Sequence, residues 1–443
     1  MSDRVSDRAA AAPPGPALRR PPGAAVRDLP AWPLYLMFAG FPLFWVVGLG
    51  TFVPILTALV IGPLLALRRG IRVPPSFGWW ALFLAWAAVA ALQLDGVPRL
   101  VGYGVRMSNY VGATVLFLYV HNIGRRRLSQ HRGLVLLAGF FTVVVVGGWL
   151  GVLAPTARLS TPLAALLPDR IAANAYVDAL VRPGFAEVQH PYGSPTVFYR
   201  PSAPFPYTNG WGCNAALLVP CVLAALASAR ARVRIGRRLP RPLRGRWMPA
   251  ALSGLLVAAA VPALATLNRG LYLAIGVAVG YAAVRLAVRG RLATLAAVGA
   301  CAGAGLGVAV LSGAAAALQS RLAYSQSSND RLSVYAEALQ GTLASPLLGN
   351  GAPRPSATLD VSVGTQGQIW NVMYSYGFPG LIFFLGWFAA LVWTTRRWRT
   401  TSDLWLHVCL VVAAVTIAYY GYDGMQLSVL MAAGLATREV RRT

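Results

Sequence analysis

Three arginines, Arg200, Arg269 and Arg331, come from well-separated stretches of the chain, and each stands beside the end of an apolar run. A cation in such a place costs free energy unless water or an anion meets it. Guanidinium groups stay charged at physiological pH and grip phosphate oxygens in pairs. Three of them converging on one point would suit a diphosphate leaving group. Taken singly, each has a plainer explanation: snorkelling to lipid headgroups, or pairing with Asp330, Glu337 or Asp360. Seven further arginines, Arg99, Arg106, Arg158, Arg170, Arg182, Arg321 and Arg354, share this placement away from the basic clusters described next.

The elements that must position these residues are membrane helices. Hydrophobic residues make up 57% of the 443 positions and charged ones only 12%, a balance typical of stacked apolar spans. The net charge of +26 would fit nucleic acid if it were spread along the chain, but it is carried by arginine alone, most of it in short clusters between apolar runs. That is the pattern of cytoplasmic loops, so no nucleic-acid partner is expected. Spans need roughly 20 apolar residues each, and the sequence offers twelve runs, of which the second and the last are weak: Trp32 to Leu49, Val53 to Leu67, Phe77 to Leu94, Met107 to Ile123, Gly133 to Leu153, Trp211 to Ala229, Met248 to Thr266, Gly270 to Val288, Leu292 to Leu318, Asn371 to Thr394, Leu404 to Tyr420 and a short one around Met425 to Ala436. With both termini inside, alternation puts Arg68 to Arg72, Arg125 to Arg132, Arg230 to Arg246, Arg285 to Arg291, Arg396 to Arg399 and Arg438 to Arg442 all in the cytoplasm.

The expected fold is therefore all-α, a multi-pass inner-membrane bundle of about twelve helices. Residues 1–30, rich in Ala, Pro and Arg, read as a disordered cytoplasmic tail without the apolar core of a signal peptide, and residues 31–443 read as a single integral-membrane domain. Two long extracytoplasmic loops, 154–210 and 319–370, hold most of the outer polar residues and should contain short helices on the membrane surface, as Leu332, Tyr335 and Leu339 indicate. The four cysteines, Cys213, Cys221, Cys301 and Cys409, lie in apolar runs without metal-site spacing.

Within this frame, Arg200-Pro-Ser-Ala-Pro-Phe205-Pro-Tyr-Thr-Asn209-Gly-Trp211-Gly, running into a span, resembles the Arg-and-Asn segment of the O-antigen ligase and polymerase superfamily, in particular its actinobacterial members. Asn268-Arg269-Gly270-Leu271 is similar to its arginine-glycine pair opening a helix. Arg331 through Pro346-Leu-Leu-Gly349-Asn-Gly351 matches its arginine, helix and turn. Val363 to Trp370, with Gly377-Phe-Pro-Gly380 downstream, resembles its late histidine-containing stretch. The four motifs stand in the family order over roughly Tyr199 to Leu385.

The resemblance implies a metal-independent, inverting glycosyltransferase with no cofactor. Its donor would be a polyprenyl-diphosphate-linked glycan, its acceptor a glycan or lipid-glycan hydroxyl, and its surroundings membrane lipid. Arg200, Arg269 and Arg331 would clamp the diphosphate, Asn209 would orient loop or substrate, and Gln366 and Trp370 would line the acceptor site. One departure stands out: counting back from Gly377, the family histidine falls on Gln366, whose amide takes up no proton near neutral pH. Candidate bases on the outer side are Glu337, His190 and Asp330, with Glu337 favoured because it shares the Arg331 segment. Phe205, Trp211 and Trp370 are candidates to stack on sugars, against the ordinary reading of an interfacial aromatic belt. The main alternative function is a lipid-linked glycan flippase or transporter, which would place charges inside the spans; apart from their ends, the spans are almost free of them. A polyprenyl-phosphate-sugar transferase would want an acid in the first outer loop, and there is none near Gly50 to Phe52.

Overall fold

The structure is a computed structural model that describes residues 28–68, 70–190, 194–236, 247–324, 327–357, 359, 361–422 and 426–440. Nearly all of the expected tail, Arg69, much of the Arg230 to Arg246 loop, Asp360, Asp423 and the last arginines lie outside those residues.

Each of the twelve apolar runs falls on helix, with breaks where local chemistry requires them. The first run divides at Gly40 into α1 (Trp32–Ala39) and α2 (Phe41–Val47), and α2 is closed by the left-handed Gly48. Proline in the first turn opens α3 (Val53–Ala66), where its missing N–H costs nothing. Then come α4 (Phe77–Val89), α5 (Val97–Asn122) and α6 (Gln130–Leu153), the last capped by the Ser129 hydroxyl. The first long loop holds three short helices, α7 (Pro162–Leu166), α8 (Asp169–Ala172) and α9 (Ala175–Val181). It also holds an antiparallel pair, β1 (Ala186–Gln189) and β2 (Phe198–Pro201), a local exception in a chain that is otherwise mostly helical, as expected. Four-residue strands flanked by proline and glycine carry too short an alternation to be read in advance.

The chain continues through α10 (Thr208–Gly236), α11 (Met248–Ala258), α12 (Ala260–Ala265), α13 (Arg269–Val288) and α14 (Leu292–Leu311). The ninth run breaks at the left-handed Gly313, giving a separate α15 (Ala314–Tyr324). The second long loop contains α16 (Ser327–Ala344), a longer helix than expected. Its Val334 and Ala338 are buried, whereas Leu332 and Leu339 face outward. Last come α17 (Gln368–Thr395), α18 (Thr401–Thr416), which has a Thr400/Asp403 capping box, and α19 (Gln426–Val440).

The helix α10 is central and packs against α6 and α18, while α3 and α19 flank α5, and α4 and α16 pack on α17. Among the described residues, six helices are long and apolar enough to cross a membrane, the mark of a membrane-associated protein. The α14 helix buries no residue, and a helix that is apolar yet unburied needs lipid around it.

Basic clusters from distant parts of the sequence gather together. The Arg125 guanidinium donates to the Arg438 carbonyl, that of Arg285 to the Arg396 carbonyl and that of Arg289 to the Trp398 carbonyl. The Pro346-to-Gly351 turn and the Gly377 kink also meet. Both Gly349 (φ 65°) and Gly377 (φ 68°) are left-handed, and a Cβ on Gly349 would lie 2.6 Å from the Gly377 nitrogen.

Candidate active site

The site begins with the register of the hairpin, which places Glu187 directly opposite Arg200. Cross-strand partners project to the same face, and the Glu187 carboxylate stands 3.5 Å from an Arg200 terminal nitrogen. Arg200 is only 4% exposed, and its Nε donates to the Thr266 carbonyl at 2.7 Å. The other Glu187 oxygen accepts from the Thr208 backbone N–H at 3.0 Å, and the Thr208 hydroxyl donates to the Arg200 carbonyl at 3.0 Å. Hairpin and α10 are thus tied at the point where α10 starts. Burial holds the Arg200 guanidinium below the ordinary arginine range, and Glu187 opposes that shift.

Arg269 is held by the entry to α13. Asn268 caps that helix, accepting from the Leu271 N–H at 3.3 Å and from the Tyr420 hydroxyl at 2.8 Å. Its amide lies 3.4 Å from the Asn209 side-chain oxygen, which brings the first turn of α10 alongside. The approach is close because Gly212 and Gly270 lack side chains; a Cβ on Gly212 would come within 2.4 Å of the Asn268 amide nitrogen.

A fourth cation completes the group. Arg321, from α15, is 8% exposed; its Nε and one terminal nitrogen donate to the Gln189 side-chain oxygen at 3.1 and 2.8 Å, and the other terminal nitrogen to the Leu267 carbonyl at 3.3 Å. Burial first, then the nearby Arg200 and Arg269, push its pKa down to about 10. Arg331, in the first turns of α16, lowers the pKa of both Arg200 and Arg321 in turn.

Arg200, Arg269, Arg321 and Arg331 line one cavity of about 430 Å³, and among the described residues two carboxylates, Glu187 and Asp330, line it with them. Asn209 and Gln366 also line it, as do the apolar Val334, Leu359 and Val361. Four guanidinium groups crowded around an open space repel one another, and a multiply charged anion would relieve that repulsion. Among the described residues no group of three or more His, Cys, Asp or Glu side chains is placed to hold a metal ion.

Of the residues singled out in the sequence, Arg200, Arg269, Arg331, Asn209 and Gln366 come together here. Others do not reach the cavity. Glu337 is occupied by the Ser356 hydroxyl at 2.6 Å and the Ala357 N–H at 2.7 Å. Trp211 is fully buried in the bundle, donating to the Val144 carbonyl at 2.8 Å, and Phe205 packs against Phe41. Neither is open to stack on a sugar. The His190 Nε2 lies 2.9 Å from the Ser194 carbonyl, away from the cavity. Trp370 stacks on Tyr335 at 4.2 Å and donates to the Ala418 carbonyl, while the Tyr335 hydroxyl donates to the Gln366 carbonyl, so this pair braces the wall behind Gln366. Arg99 and Arg354 pair with Asp95, and Arg158 and Arg182 with Asp178, so these outliers fasten loops.

Arg321, Glu187 and Gln189 were not singled out for the site. None belongs to a motif; Arg321 carried one signal, its place among the arginines away from the basic clusters, and Glu187 and Gln189 carried none. No protein-family model matches the chain, and no curated protein is significantly similar to it.

Proposed function

We propose that this chain is a membrane glycosyltransferase of the O-antigen ligase and polymerase type, transferring a polyprenyl-diphosphate-linked glycan to an acceptor hydroxyl. The observation that carries the reading is the four-arginine cavity, whose cations come from β2, α13, α15 and α16. Fixed cations at a departing diphosphate stabilise the charge that develops as the sugar–oxygen bond breaks, and they do so without reorganising. Neutral groups at the cavity, Asn209 and Gln366, suit hydroxyl-rich ligands. The order of the four motifs along the chain supports the same class.

In this reading about twelve helices span the inner membrane, both termini are cytoplasmic and the cavity opens on the outer face. The gathering of the arginine clusters supports that orientation under the positive-inside rule. The test is deletion of the gene followed by analysis of lipid-linked glycans. Long chains left on the carrier fit a ligase, and single repeat units fit a polymerase. Unchanged glycans with arrested transbilayer movement would favour the flippase and reject the transferase.

A further inference from the structure

Transfer to a hydroxyl requires something to take its proton, and the Gln366 amide does not. Among the described residues, four other acidic or basic groups bear on the question. Glu337 has both oxygens engaged, by the Ser356 hydroxyl and the Ala357 N–H. His190 stands outside the cavity, against the Ser194 carbonyl. Glu187 lines the cavity, but one oxygen accepts from the Gln189 amide at 2.6 Å and faces Arg200 at 3.5 Å, while the other accepts from the Thr208 N–H. Its lone pairs are committed to holding the hairpin.

Asp330 differs from all three. It lines the cavity, is partly accessible, and among the described residues its carboxylate takes part in no hydrogen bond or ion pair. Only its backbone carbonyl is used, by the Ser333 hydroxyl at 2.8 Å. It lines the cavity together with Arg331, Val334 and Gln366, a mixed polar and apolar set suited to an acceptor sugar.

We propose that Asp330 is the proton acceptor of this site, an inference that rests on the glycosyltransferase reading. As the acceptor oxygen forms its bond to the anomeric carbon, the acceptor proton moves to the Asp330 carboxylate. The bond from that carbon to the diphosphate oxygen breaks, its electron pair leaving with the lipid diphosphate among the arginines. Asp330 then returns the proton to water.

The experiment compares full-length wild type, Asp330→Asn and Asp330→Glu in liposomes. Transfer is followed with radiolabelled lipid-linked glycan extracted from the producing cells, and binding with inorganic diphosphate. Loss of a general base costs about 100-fold or more in rate, so Asp330→Asn should lose that much transfer while binding diphosphate at least as tightly as wild type, one repelling charge having gone. Asp330→Glu should keep measurable transfer. If Asp330→Asn transfers within about threefold of wild type, where a base contributes at least 100-fold, Asp330 is not the acceptor. Loss of diphosphate binding together with transfer would also overturn the proposal, by making Asp330 a structural part of the cage. Wild type that neither transfers nor binds diphosphate would instead reject the glycosyltransferase reading itself.

Discussion

Arg321 and Gln189 are 132 positions apart, yet two guanidinium nitrogens of the one converge on the side-chain oxygen of the other. Alternate residues of a strand share a face, so β1 offers Glu187 to Arg200 and Gln189 to Arg321 from the same side. A four-residue strand thereby fixes two of the four cations. The pairing also differs in kind: Arg200 meets a carboxylate that partly neutralises it, whereas Arg321 meets a neutral amide that orients it without cancelling its charge. The second cation is the one left electrostatically available to an anion.

That distinction predicts the effect of removing it. Arg321→Met keeps much of the buried volume and deletes a charge-assisted contact of about 1.5–3 kcal/mol to a bound anion. Diphosphate affinity measured by calorimetry should fall about 10- to 100-fold, at about 1.4 kcal/mol per tenfold step. Thermal unfolding in detergent should move little, because the loss of the Gln189 and Leu267 contacts is offset by release of a buried charge. Arg321→Lys should not restore affinity, since a single ammonium cannot reproduce the fork.

The pH dependence has a definite sign. Arg321 has a pKa of about 10 in the fold, below the ordinary arginine value. Between those values the unfolded chain holds a proton that the folded one has released, so the Arg321 contribution to stability rises with pH and is lost as pH falls through about 10. Anion binding runs the other way, because it needs the charged form. A dialkyl diphosphate, whose own charges do not titrate in that range, should bind with constant affinity up to pH 9 (approximately) and more weakly above the folded Arg321 value of about 10. In Arg321→Met that decline should be missing.

The glycine junction gives a stability prediction. A side chain on Gly349 would press on the backbone of residues 375–377, and the left-handed φ adds to the cost. Gly349→Ala should destabilise by about 2–5 kcal/mol, combining overpacking with left-handed strain. A melt within about 1 kcal/mol of wild type, below the usual range for overpacking, would mean that the two turns separate without consequence.

The two halves of this junction were visible in the sequence as Pro346-to-Gly351 and Gly377-to-Gly380, and so were the apolar runs that become helices. Arg200, Arg269 and Arg331 were legible because a charge at the end of an apolar run needs a reason. Arg321 has the same character, but it follows a continuous apolar run, and only the break at Gly313 turns it back toward the hairpin. Trp211 was misread for the opposite reason: an aromatic residue near a helix start is compatible with either face, and periodicity alone does not say which face meets the Val144 carbonyl. Glu337, favoured for sharing a segment with Arg331, lies six positions further along the helix and points to the loop instead.

Glu337 should therefore act as a positioning residue. Its carboxylate holds Ser356 and Ala357, the start of the loop that carries Leu359 and Val361 to the cavity wall. Glu337→Ala should raise the acceptor KM and leave diphosphate affinity unchanged, because the charge-assisted contacts it removes hold the loop and not the anion. Equal loss of both would contradict a role confined to the loop.

Gln366 offers the sharpest test of how proton and acceptor are handled. It lines the cavity with Asp330, and the stacked Tyr335 and Trp370 brace its backbone. Gln366→His would introduce a group that, with an ordinary pKa of about 6.5, accepts protons near neutrality. In wild type the change should add little, since Asp330 already serves. In Asp330→Asn it should restore part of the lost transfer, with activity rising as pH passes from about 6 to 7 and the imidazole becomes neutral. Rescue without that pH dependence would point to a purely steric effect, and no rescue at all would place the acceptor hydroxyl beyond the reach of residue 366.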